Sequence, residues 1–129
     1  MTAHPINLFA SAPHIHPDGE VRAAARQMTA SDSGAWQVAT FHAETDADVH
    51  AGHREQHPEA EEAVCCLAGS VRLYFRPTDP GGAEEMVRLP AGHAAIVPRG
   101  RWHRLRLDGP SDLMSITLRQ GTRLEKHTP

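Results

Sequence analysis

The sequence predicts an all-β domain of the sandwich or barrel kind, and two observations carry that prediction. From Trp36 onward apolar and polar residues alternate in short runs, and clusters of Pro, Gly, Asp and Ser break the runs at close intervals. Successive side chains on a strand point to opposite faces, so period two with frequent turns marks antiparallel strands that bury one face. A chain of 129 residues has room for one such domain with a real core and no room for a second.

Taken in order, residues 1–20 hold Pro5, Pro13 and Pro17 among small polar residues, which suits an arm or short edge strands. The expected division is an N-terminal arm over 1–30 and a single barrel domain over 31–129. "HIH" (14–16) has the look of a ligand pair, but its flanking prolines favour an irregular arm with loop histidines. "EVRAAARQM" (20–28) fits either a short helix or an irregular strand. "WQVATFHAE" (36–44) puts Trp36, Val38, Thr40 and His42 on one face, so His42 either lines a pocket or is a core histidine. "SVRLYF" (70–75) sets Val71, Leu73 and Phe75 against Arg72 and Tyr74. "WHRLRL" (102–107) sets His103, Leu105 and Leu107 against Arg104 and Arg106, with Trp102 on the outer face. "LMSITLR" (113–119) alternates Met114, Ile116 and Leu118 with Ser115 and Thr117. The breaks fall at "PTDPGG" (77–82), "PAG" (90–92), "PRG" (98–100) and "DGPSD" (108–112).

Composition narrows the function. The net charge is −3, so there is no bulk positive field to hold nucleic acid or an anionic membrane. Arg101, Arg104 and Arg106 sit among apolar residues and read as the outward face of a strand. No apolar run approaches the eighteen or so residues of a membrane span, and no signal-peptide pattern opens the chain. Cys65 and Cys66 are adjacent, so on a strand they face opposite ways and do not bond each other. Without a disulfide framework the expectation is a cytoplasmic protein. Phosphate-loop, dinucleotide, H-E-x-x-H and nucleophile-elbow patterns are absent.

Ten histidines are the oddity, since imidazole is the commonest metal ligand and the usual near-neutral acid or base. "GHREQHPEAEEAV" (52–64) concentrates the chemistry. If extended, it projects His53, Glu55 and His57 from one face. A turn at "PEAE" then brings the chain back, with Glu62 opening the apolar strand "EAVCCLAG" and with Glu59 and Glu61 in solvent. His103 opens another strand near the far end.

At these residues the sequence resembles the cupin superfamily. Gly92, Pro98, Gly100 and His103 in "GHAAIVPRGRWH" match the second cupin motif at every spacing. His57, Glu62 and Gly69 in "HPEAEEAVCCLAG" match the first. Glu55 stands where the first motif has its leading histidine, as in a group of small single-domain bacterial cupins. His93 and Leu107 replace an Asp and an Asn that the second motif often carries. The resemblance implies a double-stranded β-helix, or jelly-roll barrel, with one divalent metal at its mouth. It implies Glu55, His57, Glu62 and His103 as metal ligands. His53 competes with Glu55 for the fourth place and is a possible proton-transfer group. Two nitrogens and two carboxylate oxygens suit Fe, Mn, Ni or Zn. The expected function is metal-dependent chemistry on a small organic molecule, of dioxygenase, isomerase, lyase or cyclase type. The alternative is a cupin that binds a small ligand without turnover. A homodimer that exchanges N-terminal strands is the expected assembly.

Overall fold

The computed structural model describes residues 3–27 and 34–127, and within them the alternating runs are strands. They are β1 (Ala12–Ile15), β2 (Val21–Ala24), β3 (Trp36–Ala43), β4 (His53–Gln56), β5 (Glu62–Ala68) and β6 (Ser70–Phe75), then β7 (Glu85–Pro90), β8 (His93–Val97), β9 (His103–Leu107), β10 (Ser111–Thr117) and β11 (Arg123–Lys126). A 3-10 turn, Asp46–Val49, leads from β3 towards β4.

Two antiparallel sheets form, one in the order β2-β1-β3-β10-β5-β8 and the other β11-β4-β9-β6-β7. Their facing sides meet in one core. Val71, Leu73 and Phe75 of β6 and Leu107 of β9 pack there against Val64 and Cys66 of β5, Val97 of β8 and Leu113 of β10. Each fully buried aliphatic or aromatic side chain contributes about 1.5–3 kcal/mol of transfer free energy, so this cluster fixes how far apart the sheets stand. The fold is an all-β jelly roll, as the alternation and the resemblance both require.

Several details depart from the sequence reading, each for a physical reason. The stretch from Val21 is a strand, not a helix, because it pairs with β1 from Val21↔Ile15 to Ala24↔Ala12; Met28 lies outside the described residues. His14 is not a loop histidine. It sits within β1, 1% exposed, with its Nε2 3.3 Å from the Ala25 carbonyl, and His16 just beyond the strand is buried too. His42 neither lines the pocket at Glu55 and His103 nor sits in the core: the face it shares with Trp36 is the outer one, and its ring lies exposed between Glu44 and Asp112. Its ring hydrogen-bonds the Glu44 and Asp112 carboxylates, and these bonds lift its pKa against a smaller cost of desolvation. Arg101 precedes β9 and lies over the Phe75 ring, so only Arg104 and Arg106 of that trio are strand residues. Arg104 forms a two-pronged ion pair with Glu84 and covers the Tyr74 ring. Trp102 packs outside the barrel, under the Arg76 guanidinium.

Gly69 between β5 and β6 is the tightest point of the sheet edge. Its φ is +84°, and a Cβ there would lie 2.3 Å from Ser111 Oγ and 2.6 Å from the Pro110 carbonyl oxygen. Left-handed backbone costs an L-residue about 1–2 kcal/mol, and the backbone overlap adds to it. Gly69→Ala should therefore destabilise the fold by about 2 kcal/mol or more in urea denaturation; a loss under about 0.5 kcal/mol would contradict the packing described here.

Candidate metal centre

β4 is extended, so His53, Glu55 and His57 follow one another on one face, as the "GHREQH" stretch suggests. Glu62 opens β5 and His103 opens β9. These starts converge because Glu55 pairs directly with His103 across β4 and β9, while β5 faces them from the other sheet. The outcome is a group of four: Glu55, His57, Glu62 and His103 each offer one ligand atom, and all four atoms lie within 4.8 Å of one another. His53 lines the pocket nearby but stands outside that group. Glu59 and Glu61 are exposed.

The group has an ordered inside and outside. His57 Nε2 is 3.1 Å from Glu62 Oε1 and 3.3 Å from Glu55 Oε1; His103 Nε2 is 2.9 Å and 3.4 Å from the same two oxygens. The outward atoms are held from behind. His103 Nδ1–H donates to the Arg101 carbonyl at 3.0 Å; a carbonyl only accepts, so this bond fixes the proton on Nδ1 and leaves Nε2 facing inward. His57 Nδ1 bonds Thr122 Oγ1 at 2.8 Å. Arg119 reaches Glu55 Oε2 at 3.3 Å and Glu62 Oε2 at 3.4 Å, and the Ser115 hydroxyl donates to Glu62 Oε2 at 2.5 Å. Every inward atom is thus presented by a supporting bond on its far side, the arrangement that orients metal ligands in general.

Electrostatics in this closed ring are strongly coupled. Burial pushes Glu62 towards neutrality, but hydrogen bonds from His103 and His57 prevail and bring its pKa down to about 2. Glu55 is held well below the usual carboxylate range by His103, His57 and Arg119, again against burial. Burial opposes the imidazolium form of His103, yet the hydrogen bonds and charges of Glu55 and Glu62 push it up to about 10. His57 is raised by the same two partners. Without an ion, protons on the two imidazoles fill the space between the carboxylates.

The donor set fits a divalent ion. Ligand atoms about 2.1 Å from a shared metal stand about 3.0 Å apart at right angles and about 3.4 Å apart in a tetrahedron. The four nitrogen–oxygen separations, 2.9–3.4 Å, span that range. Two imidazoles and two carboxylates suit first-row divalent metals. Above the group opens a pocket of about 710 Å³, counting solvent at its mouth, with Phe41, Val49, Leu105 and Leu124 among its apolar walls.

Sequence reasoning missed Ser115, Arg119 and Thr122. For the first two a signal existed: Ser111, Leu113, Ser115, Thr117 and Arg119 share one parity, and it is this mixed polar face that is buried. The apolar parity, Met114 and Ile116, is the less buried one. Nothing local marks Thr122. Cys66 is buried in the core and Cys65 half-buried on the opposite face; both are free, and burial raises both thiols.

With the fold and site in hand, likeness to solved structures gives the class. A cupin-2 domain containing protein from Shewanella frigidimarina matches at 19% identity and a TM-score of 0.50, over 72% of this chain and 78% of that one. Oxalate decarboxylase matches at 19% and 0.52, over 70% of this chain and 23% of that one. Fe(II)-HppE with an alternative substrate, (S)-1-HPP, matches at 16% and 0.51, over 64% and 42%. The protein has the cupin fold. No family model and no curated relative matches the sequence. Among the described residues no helix is long and apolar enough to cross a membrane.

The coupled pKa shifts set the pH dependence of the metal-free protein. His103 has a raised folded-state pKa, so its contribution is complete below about 6.5 and is lost as pH rises towards 10. Glu62 has a depressed one, so its contribution is complete above about 4.5 and is lost as pH falls towards 2. Chelator-treated protein should show its highest Tm between about pH 4.5 and 6.5, with a decline on both sides. A Tm that stays level from pH 6.5 to 9 would contradict this account of the ring.

Proposed function

We propose that the protein is a metal-dependent enzyme acting on a small organic molecule, with one divalent ion held by Glu55, His57, Glu62 and His103. The observation that carries this reading is the pair of rear supports on each side: the imidazoles are fixed through Nδ1, and the carboxylates through Oε2. Such supports are superfluous for a ring that merely neutralises itself, and they leave the four nitrogen–oxygen pairs 2.9–3.4 Å apart, at the separations of ligands sharing a metal. Bound there, Fe, Mn, Ni or Zn supplies a Lewis acid for a substrate oxygen or, for iron, a place for dioxygen.

The chain's own residues define the rest of the chemistry. Phe41, Val49, Leu105 and Leu124 exclude water from one side of a bound molecule. Arg119 keeps both glutamates ionised and aligned. His53 projects from the same face as Glu55 into the pocket and is the group placed to take or give a proton at the substrate. That two proteins of this fold are an oxalate decarboxylase and an Fe(II)-bearing HppE supports small-molecule chemistry, and the reaction here is of dioxygenase, isomerase, lyase or cyclase type.

Elemental analysis of purified protein tests the reading, beside Glu62→Ala and His103→Ala variants whose β-sheet circular dichroism is verified. The expected result is close to one metal ion per chain in the wild type and loss of more than nine-tenths of it in both variants. Failure of the wild type to bind Fe, Mn, Ni or Zn when reconstituted with excess ion would sink the enzyme reading and favour a ligand-binding barrel.

A further inference from the structure

The pocket above the four ligands contains one cation with an unusual situation. Arg26 lies just past β2, exposed at the pocket mouth, with its guanidinium 4.5 Å above the Phe41 ring. It is put there by two buried polar side chains. The Gln37 carboxamide accepts from the Gln27 backbone N–H at 2.5 Å and donates to the Gln27 carbonyl at 2.9 Å, in the manner of a strand rung. One residue upstream of Arg26, the Ala25 carbonyl meets His14 Nε2. Gln37 and His14 are each 1% exposed. The backbone on both sides of Arg26 is therefore clamped, and its side chain is directed over β3 towards the site.

The other pocket charges have partners. Arg54 and Arg104 pair with Glu84. Arg119 pairs with Glu55 and Glu62. The Asp48 carboxylate accepts from the Glu44 and Thr45 backbone N–H groups. Arg26 makes no ion pair or side-chain hydrogen bond among the described residues; its nearest charged influence is the like charge of Arg119, which together with partial burial lowers its pKa. A dication offsets the two glutamates, so a metal-loaded pocket keeps the positive charges of Arg119 and Arg26 against Asp48 alone. A guanidinium seated over an aromatic ring, as Arg26 is over Phe41, can still bind a carboxylate through two parallel hydrogen bonds.

We propose that Arg26 is the substrate-binding residue of this pocket, and that the molecule taken at the metal centre is a small organic acid. One oxygen donor of that acid faces the four ligands, and a carboxylate at its other end pairs with the Arg26 guanidinium over Phe41. The inference rests on the metal-centre reading and adds the substrate class to it.

Calorimetric titration of zinc-loaded protein tests it, using malonate, succinate and glutarate with the matching neutral diamides as probes. Zinc uptake is measured first, in the wild type and in Arg26→Leu and Arg26→Gln. The expected result is equal zinc stoichiometry in all three, and for the wild type at least tenfold tighter binding of one diacid than of its diamide. That preference should shrink at least fivefold in both variants. Normal zinc uptake with no diacid preference in the wild type, or with the preference intact in the variants, overturns the assignment of Arg26 alone. No zinc uptake by the wild type overturns the metal-centre reading and this inference with it.

Discussion

Glu55 and Glu62 stand ionised side by side in a space closed by two imidazoles, and the mouth of the barrel is organised around that constraint. Two buried carboxylates repel each other and lose hydration, so each needs compensation from more than one direction. Arg119 supplies one positive charge to both from behind; His57 and His103 supply the rest from within, as imidazolium or by giving way to a cation. The four groups come from both sheets. Glu62, with its support Ser115, belongs to the six-stranded sheet, Glu55 and His103 to the five-stranded one, and His57 follows directly on β4 of the latter. The ring therefore exists only when the sandwich is closed, and the apolar core that includes Leu73, Leu113 and Val97 holds it closed; Val97 pairs directly with Glu62, and Phe75 of the same core with His103.

The mixture of apolar and polar residues on the inner faces accounts for what the sequence made legible. Where the inner face is purely apolar, as at Val71, Leu73 and Phe75, alternation alone identified strand and orientation. The resemblance to the cupin motifs singled out Glu55, His57, Glu62 and His103, and these four lie together in one group. Alternation gave no orientation where the inner face turns polar. β3 buries Gln37 and Ala39 and shows Trp36 and His42 to solvent, so an inward reading of the more apolar parity was reversed there. β10 does the same with Ser115 and Thr117, which is why Arg119 went unseen. Polar residues are buried on these strands because a polar site needs supports, and hydrophobicity does not report supports. His14 is the other instance: Pro13 and Pro17 suggested an irregular arm, yet edge strands tolerate proline, and the histidine serves as a clamp on the Ala25 backbone.

The N-terminal segment does more than cover a sheet edge. Through Gln37 and His14 it is tied to β3, the strand that also contributes Phe41 to the pocket wall. The four candidate ligands come from β4, β5 and β9 and the regions beside them, whereas Arg26 and Phe41 reach the same pocket from the N-terminal part of the chain.

X-ray absorption at the zinc edge of the reconstituted protein tests the central claim most directly, since it reads the metal's neighbours without reference to any reaction. The account predicts a first shell of nitrogen and oxygen at about 2.0–2.2 Å, with the outer-shell scattering of two imidazoles and no sulfur. A sulfur scatterer from Cys65 or Cys66, or a shell without histidine, would contradict the assignment of Glu55, His57, Glu62 and His103 as the metal centre.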